Sequence, residues 1–315
     1  MKKAKVSVVI PNYQGERFLR ACLDSLKQQT LKDMEIIIVD NASTDGSVAL
    51  IRAEYPEIEL ITRSENTGFC GAVNTGIRHA NAEYVILLNN DTTADPHFAE
   101  ELYRAVSADP QIFSAQAMML QMDAPELIDD AGDTYNALGW ARARGKGKRV
   151  DQFHASEDIF ACCGGAAIYR KSVFEKIGYF DEAHFAYLED IDIGYRAKIC
   201  GYRNRLVPKA VIYHKGSAAT GSRYNAFKVS HAARNNIYLI YKNMSRWQIL
   251  INLPFLAAGH LIKFLFFLCK GFGLTYLKGL WQGILLARKG QKAAFLPENF
   301  DNCWKIQLQL WKNIG

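Results

Sequence analysis

The chain has few cysteines, and none has the spacing typical of a zinc ribbon or a disulfide framework. Its seven cysteines are an odd number in 315 residues, and no two form a Cys-x-x-Cys pair. We therefore expect reduced thiols, as in a cytosolic protein. The chain also lacks an apolar signal sequence, because only five residues separate its basic start from Pro11. We expect no cleaved signal peptide.

The common nucleotide-binding loops are also missing. The glycine-rich stretch at 66–76 fits neither Gly-x-Gly-x-x-Gly nor a loop ending in Gly-Lys-Ser/Thr. This argues against dinucleotide enzymes and NTPases. Its glycines would let the backbone approach a phosphate or would form an ordinary turn, and both interpretations stay open. We predict a loop that leads into a helix ending near His79.

Charge is distributed unevenly along the chain. With 49% hydrophobic and 22% charged residues, the composition is that of a globular protein. Residues 227–315 contain nine Lys and three Arg against two acidic residues, a net charge of +10, whereas residues 1–226 carry −4. Such a basic segment predicts an anionic partner, either a membrane surface or nucleic acid.

Short apolar runs alternate with helical patterns over the first ninety residues. We predict strands at residues 6–10, 35–40, 58–62 and 84–88. We predict helices at residues 16–29 and 48–54, and a third that ends near residue 79. The order β-α-β-α-β-α-β predicts right-handed crossovers and a parallel sheet.

Two of these strands are predicted to end on a carboxylate. The run at 84–88 is apolar without alternation, as in a strand buried on both faces, and it is followed by Asn90 and Asp91. Asp40 ends an earlier strand. In proteins with a parallel sheet, ligands bind beyond the carboxyl ends of the strands. There Asp91 could hold a divalent cation, and Asp40 could accept a hydrogen bond from a uracil or thymine N–H. The alternative is that each Asp caps a turn or a helix.

Several longer motifs follow one another along the chain. They are VSVVIPNY at 6–13, IIVDNASTDGS at 37–47, NTGF at 66–69, LLNNDT at 87–92, CGGAAIYR at 163–170, GYFDE at 178–182 and YLEDIDIGYR at 187–196, with His214 beyond them. In this order they resemble family 2 glycosyltransferases with the GT-A fold, in particular the rhamnosyltransferase-like branch. The resemblance covers about residues 5–245.

The resemblance implies an α/β, GT-A fold: a Rossmann-like, mostly parallel sheet flanked by helices, with a C-terminal helical extension. Together with the charge distribution, we expect a catalytic domain at 1–226 and a basic, amphipathic helical region at 227–315 that associates with a membrane. The implied reaction is an inverting transfer from a UDP- or dTDP-linked sugar, possible donors including dTDP-rhamnose, to a lipid-linked or other surface-glycan acceptor. Processive members carry Gln-x-x-Arg-Trp, whereas Asn243 precedes Arg246-Trp247 here, so we expect one sugar per acceptor.

The resemblance also implies roles for individual residues. Asp190 is the expected general base, with Glu189 contacting the acceptor or the sugar. Crowded carboxylates raise one another's pKa, although acids are also favoured at helix starts. Asp91 occupies the last position of the family's Asp-x-Asp motif and is expected to bind Mn²⁺ or Mg²⁺, with His214 as a later ligand. Asn89 departs from the motif and removes one carboxylate.

The predicted nucleotide-sugar site combines strand ends, the glycine-rich stretch and a basic segment. Its residues are Pro11, Asn12, Tyr13, Asp40, Asn66, Gly71, Asn74, Asn90, Asp91, Arg142, Arg144 and Gly165. Residues 142–149 carry five cations, and we expect this segment to close over the diphosphate. A solvated loop and a nucleic-acid contact are the alternatives.

The C-terminal region contains an apolar run at 247–269 that is nearly long enough to span a bilayer. Pro254, His260 and Lys263 interrupt it. We predict amphipathic helices that lie on the anionic inner face of the cell membrane. The alternative is a helical subdomain packed on the catalytic body or in a homodimer. We expect no nucleic-acid partner, because no stacking platform is evident. A non-catalytic nucleotide-sugar-binding subunit is the rival function, supported only by Asn89.

Overall fold

The computed structural model describes residues 4–216 and 224–314. A mixed ten-stranded sheet forms the centre, and a separate two-stranded sheet pairs β8 with β9. The strands are β1 (Val6–Asn12), β2 (Met34–Asp40), β3 (Glu59–Thr62), β4 (Tyr84–Leu88), β5 (Thr92–Ala94), β6 (Ile112–Gln121), β7 (Ala124–Asp130), β8 (Asp133–Tyr135), β9 (Ala141–Ala143), β10 (Glu157–Ile159), β11 (Ala166–Arg170) and β12 (Arg203–His214). The helices are α1 (Glu16–Lys27), α2 (Ser47–Glu54), α3 (Gly68–His79), α4 (Phe98–Ser107), α5 (Lys171–Ile177), α6 (Glu189–Ile199), α7 (Ala226–Asn243), α8 (Arg246–Cys269), α9 (Gly273–Lys289) and α10 (Phe300–Lys312).

The first half of the sheet is parallel, as predicted. β3, β2, β1 and β4 lie side by side, and each pairs in parallel with its neighbour. Successive residues of β1 face opposite sides, so Val8 packs in the same core as Leu23 of α1, and Val9 in the same core as Ile77 of α3. The strands are therefore buried on both faces, and the α/β class with helices flanking the sheet is confirmed.

The second half of the sheet adds antiparallel strands. β11 lies antiparallel between β4 and β6, and β12 pairs in parallel with β6. β11 thereby brings the residues that precede it, Gly164 and Gly165, to the end of β4, where the backbone N–H of Asn89 donates to the Gly165 carbonyl at 2.9 Å. The two halves of the chain meet at this point.

The glycine-rich stretch is mostly helix, which corrects the prediction of a long loop. α3 already begins at Gly68, so Gly71 and Asn74 lie inside the helix. Asn66 Oδ1 accepts from the backbone N–H of Gly68 and from the side chain of Asn41, which follows β2. This contact from a distant strand fixes the helix start, and sequence periodicity does not reveal it.

The C-terminal helices share a core with the catalytic half. Leu239 of α7 and Leu310 of α10 pack in one cluster with Ile191 and Tyr195 of α6. The backbone N–H of Ala137 also donates to the Leu310 carbonyl at 3.0 Å. A functional division near residue 226 therefore stays a prediction, because the core is continuous across it.

The apolar run at 247–269 falls within one helix, α8, whose surface is largely exposed. By length and composition it is the one helix among the described residues that could cross a membrane. Its polar residues face the protein. Asn252 donates to Gln307 of α10, His260 contacts the Tyr276 hydroxyl of α9 at 2.8 Å, and Lys263 Nζ donates to the Gly139 carbonyl at 3.3 Å. The outward side of α8 is left apolar.

Candidate active site

The carboxyl ends of β1, β2 and β4 bring three predicted residues into one hydrogen-bonded group. Asn12 Nδ2 donates to Asp40 Oδ1 at 2.8 Å, and Asn90 Nδ2 donates to Asn12 Oδ1 at 2.7 Å. The backbone N–H of Ser43 donates to Asp40 Oδ2 at 3.0 Å. Both Asp40 oxygens therefore accept hydrogen bonds within the protein. Recognition of a base by Asp40 stays a prediction, and it would use the remaining lone pairs.

Three more predicted residues lie next to this group along the chain. Pro11 is a partly buried residue of β1, and Tyr13 follows the strand with 48% of its surface exposed. Asn66 is bonded to Asn41, the residue after Asp40. The exposed Tyr13 ring is accessible to a ligand, and the Asn41–Asn66 pair links the ends of β2 and the loop before α3.

Gly71 and Asn74 have internal contacts. Gly71 has no space for a side chain, because Thr67 occupies the position of a Cβ. Asn74 is buried, accepts from the backbone N–H of Phe180 at 3.1 Å and donates to the Phe180 carbonyl at 2.8 Å. These contacts join α3 to the segment before α6. The predicted role of both residues in sugar-nucleotide binding stays a prediction.

The two predicted arginines of the basic segment also contact protein groups. The Arg142 guanidinium lies 5.1 Å from the centre of the Trp140 ring. Arg144 pairs with Glu157 and lies 4.9 Å from the centre of the Phe153 ring. Binding of a diphosphate by either residue would require these contacts to be exchanged, and their role stays a prediction.

Asp91 and His214, the two predicted metal ligands, lie side by side. His214 Nε2 is 3.3 Å from Asp91 Oδ1, and Nδ1 is 2.8 Å from Asp129 Oδ2. Lys146 Nζ is 2.6 Å from Asp129 Oδ1. Burial would lower the pKa of His214, but hydrogen bonds to Asp129 and Asp91 outweigh it and raise this pKa to about 9.

This arrangement has the chemistry of a divalent-cation site. A carboxylate that holds one imidazole nitrogen is the usual support of a histidine ligand, and Asp129 does this for Nδ1 of His214, while Nε2 faces Asp91. Asp91 adds a hard oxygen. Asp129 and Lys146 were missed in the sequence, because only the pairing of β7 with β6 and the turn after β9 bring them to His214. Lys146 is the residue of the basic segment that reaches this group.

Glu189 and Asp190, the predicted catalytic pair, begin α6. The backbone N–H of Gly164 donates to Asp190 Oδ1 at 3.0 Å, so the base is held beside the Gly164–Gly165 segment and the end of β4. Burial and the charge of Glu189 raise the pKa of Asp190 well above its ordinary value. Burial raises the pKa of Glu189 to about 7, and its Oε2 has no hydrogen-bond partner among the described residues. Such carboxyls are suited to general-base chemistry near neutral pH.

Asp192, the third acid of this cluster, has a different environment. It is fully buried and contacts Arg196 Nη2 at 2.6 Å, Lys242 Nζ at 3.1 Å and Asn243 Nδ2 at 2.7 Å. Burial would raise the pKa of Asp192, but Arg196 and Lys242 hold it far below its ordinary value. Asp192 is therefore a permanent anion that ties α6 to α7.

A second acidic group lies near the predicted base. Oxygen atoms of Asp130 and Asp133 and the sulfur of Cys163 lie within 4.8 Å of one another. Asp130 follows Asp129 on β7 and points the other way, so that Gln116 Nε2 donates to it at 3.0 Å. Burial raises the pKa of Asp130 to about 6. The charge of Asp133 acts on Glu189, so the group adds negative charge to the catalytic side.

The motifs that meet near the carboxyl ends of the central strands belong to a known family. The family model described as "Glycosyl transferase family 2" matches residues 7–178, more than half of the chain. The chain belongs to glycosyl transferase family 2. It is therefore an enzyme of the glycosyltransferase class, and the family expected from the motifs is confirmed.

Curated relatives agree with the predicted branch of this glycosyltransferase family. One is the N-acetylglucosaminyl-diphospho-decaprenol L-rhamnosyltransferase of Mycobacterium tuberculosis, 26% identical over 269 residues, which are 76% of this chain and 86% of the relative. Another is the low-salt glycan biosynthesis hexosyltransferase Agl10 of Haloferax volcanii, 28% identical over 204 residues, 61% of each chain. Similarity to a rhamnosyltransferase is thus established.

Solved structures of glycosyltransferases share the fold. S. aureus TarS 1–349 aligns with a TM-score of 0.58 at 16% identity, over 96% of this chain and 90% of that one. The mannosyltransferase PcManGT of Pyrobaculum calidifontis, solved with GDP-Man and Mn²⁺, aligns with a TM-score of 0.56 at 19% identity, over 99% and 82%. The GT-A fold expected from the motifs is confirmed.

Proposed function

We propose that this glycosyltransferase is an inverting, non-processive enzyme that takes a sugar from a UDP- or dTDP-linked donor. The proposed acceptor is a lipid-linked or other surface glycan, and dTDP-rhamnose is the first donor to test. The name of the mycobacterial relative, a rhamnosyltransferase of a decaprenol-linked acceptor, supports both choices. The observation that carries the proposal is the partly buried Asp190 carboxyl, held by Gly164 beside the end of β4.

The proposed mechanism assigns the proton transfer to Asp190. The acceptor hydroxyl attacks the anomeric carbon and gives its proton to the Asp190 carboxylate, while the bond from that carbon to the diphosphate oxygen breaks. Attack opposite the leaving group inverts the configuration. The raised pKa of Asp190 supports the role, because a base with a pKa nearer neutrality holds the proton better in the transition state.

The negative charge on the leaving diphosphate would be stabilised by a cation bound near Asp91 and His214. Asp91 and His214 would hold a divalent cation, Mn²⁺ or Mg²⁺, which supplies Lewis-acid stabilisation of phosphate oxygens when bound. Asp129 orients the His214 ring, and Lys146 adds a positive charge next to Asp129. Asn12, Asp40 and Asn90 would fix the nucleoside end of the donor.

We also propose that the enzyme is peripheral on the inner face of the cell membrane. The support is an apolar face formed by exposed side chains of α8 and α9. Its members are Leu250, Leu253, Leu261, Ile262, Leu265, Leu268, Leu274, Leu277, Trp281 and Leu285. Large exposed apolar side chains concentrated on two successive helices are typical of interaction surfaces, and the +10 charge of residues 227–315 favours anionic lipid.

The decisive experiment is a donor screen with purified protein. UDP-, dTDP- and GDP-sugars are tested for hydrolysis and binding, with and without Mn²⁺ and with membrane extract as a source of acceptors. We expect one donor to be turned over by the wild type and by Asp158→Asn, a surface control, and turnover to fall at least a hundredfold in Asp190→Asn while binding persists. Binding without turnover in the wild type would favour the non-catalytic subunit, and unimpaired Asp190→Asn would exclude that base.

A further inference from the structure

The loop that leads into α6 has a strained backbone. Three non-glycine residues in it have positive φ: Phe185 at 63°, Tyr187 at 72° and Leu188 at 68°. Side chains other than glycine seldom adopt such conformations, and they persist only where the surroundings enforce them. Leu188 immediately precedes Glu189, so the strain lies at the entrance of the catalytic pair.

One buried side chain of α7 holds this loop. Asn235 is completely buried, and its Nδ2 donates to the carbonyls of His184 at 2.9 Å, Ala186 at 2.8 Å and Tyr187 at 2.8 Å. The two amide hydrogens are thus shared among three carbonyl oxygens of the strained loop. No other described side chain donates to these three carbonyls together.

Arg234 supports the same contact. Its Nε donates to Asn235 Oδ1 at 2.9 Å, which fixes the direction of the amide, and its Nη2 donates to the carbonyls of Ala183 at 2.9 Å and His184 at 2.8 Å. The two adjacent residues of α7 therefore bind the loop from one side and satisfy carbonyls that are partly removed from water.

The far side of the loop is fixed by α3, and its end begins α6. The Phe185 carbonyl accepts from the backbone N–H of Cys70 at 3.3 Å, and Gly68 has no room for a Cβ beside the Phe185 ring. The Leu188 carbonyl accepts from the backbone N–H of Asp192 at 2.9 Å. The direction of the first turn of α6, and with it the position of Asp190, thus depends on the conformation of this loop.

We propose that Asn235, oriented by Arg234, is a positioning residue that holds the strained loop and thereby places Glu189 and Asp190 for the transfer. The proposal rests on Asp190 being the base in the proposed function. The side-chain amide of Asn235 donates to the loop carbonyls, so its proposed action on Glu189 and Asp190 is through the loop. The family match ends at residue 178, so Asn235, Arg234 and the loop that they contact lie outside the part of the chain it covers.

The neighbouring Asn236 provides a matched control. It is also buried on α7, accepts from the Tyr135 hydroxyl at 2.8 Å and donates to the Gly139 carbonyl at 2.9 Å. Its replacement removes buried amide hydrogen bonds from the same helix turn without touching the loop. Any effect that is only a loss of helix packing should therefore appear in both variants.

The test compares Asn235→Ala and Asn236→Ala with the wild type in three measurements. These are Tm, the Kd of UDP and dTDP by calorimetry, and kcat and KM with the donor found in the screen. We expect both variants to lower Tm by similar amounts, and both to bind nucleotide within threefold of the wild type. Asn235→Ala should lower kcat at least tenfold with little change in the donor KM, whereas Asn236→Ala should keep kcat within threefold. Equal kcat losses, or no loss in Asn235→Ala, would overturn the proposal.

Hydrogen exchange of residues 183–190 gives a readout that does not depend on activity. We expect faster exchange in Asn235→Ala and unchanged exchange in Asn236→Ala. If Asn235→Ala does not fold, Arg234→Lys, which keeps the charge but shortens the reach, takes its place with the same expectations. A wild type that turns over no donor would refute the proposed function, while slow exchange in Asn235→Ala would refute the holding of the loop.

Discussion

At the scale of single residues, environment separates acids that look alike in sequence. Asp190 and Asp192 are two positions apart at the start of α6. Asp190 is partly buried with one backbone donor, and its pKa is raised, whereas Asp192 is fully buried among cations and its pKa is lowered. The sequence predicts an acidic cluster. The different pKa values within it depend on Lys242 and Arg196, which only the fold brings to Asp192.

We expect Asp190→Asn and Asp192→Asn to differ in their effect on stability at pH 8. A lowered pKa in the folded state stabilises the protein above the ordinary carboxyl pKa, so Asp192→Asn should lower the free energy of unfolding by about 3 kcal/mol. A raised pKa has the opposite sign, so Asp190→Asn should leave the free energy of unfolding unchanged or raise it. Urea unfolding of both variants is the measurement. Similar losses in the two would contradict the assignment.

At the scale of elements, the sequence predicts what local pattern determines. The ends of the four parallel strands were predicted within two residues, because each is an apolar run followed by polar residues. The prediction for the start of α3 was wrong, because this start depends on the hydrogen bond between Asn41 and Asn66, which lie after different strands. Within the basic segment, the arginines chosen from sequence contact protein groups, while Lys146 reaches Asp129 through a turn that periodicity does not specify.

Single substitutions in the basic segment can compare how much each basic side chain contributes to nucleotide binding. We expect Lys146→Ala to raise the Kd of nucleotide with Mn²⁺ about fivefold to tenfold, because its positive charge lies next to the Asp129–His214–Asp91 group. Arg142→Ala and Arg144→Ala should each weaken binding if the segment closes over the diphosphate, as the sequence predicts. Calorimetry with UDP and dTDP checks all three variants. A Kd unchanged by Lys146→Ala would remove this residue from the site.

At the scale of the whole molecule, the chain combines a polar catalytic edge with an apolar face on α8 and α9. Sequence hydropathy reveals the apolar run at 247–269 and the basic residues around it. It does not reveal that Asn252, His260 and Lys263 point inwards, since their partners lie on α10, on α9 and at Gly139. Because these three side chains contact partners inside the protein, the outward surface can meet lipid without burying an unpaired charge.

The membrane proposal predicts a site-specific loss of vesicle binding. Leu265 on α8 and Leu308 on α10 are equally exposed, at 50% and 49%, but only Leu265 belongs to the apolar face. We expect Leu265→Glu to reduce cosedimentation with anionic vesicles severalfold and Leu308→Glu to leave it unchanged, and added NaCl to weaken binding in all forms. Indifference of the wild type to vesicles, together with dimers in light scattering, would instead assign the face to a second copy.

The contact between α7 and the loop before α6 has a consequence for the nascent chain during translation. A ribosome makes the strained loop and the catalytic pair well before it makes Asn235, and domains fold in the order in which they emerge. With Asn235 holding the loop, the catalytic pair is placed only after α7 is complete. The next segment to emerge is α8. On this proposal, sugar transfer would begin only when α8, the part of the chain proposed to meet the membrane, is being made.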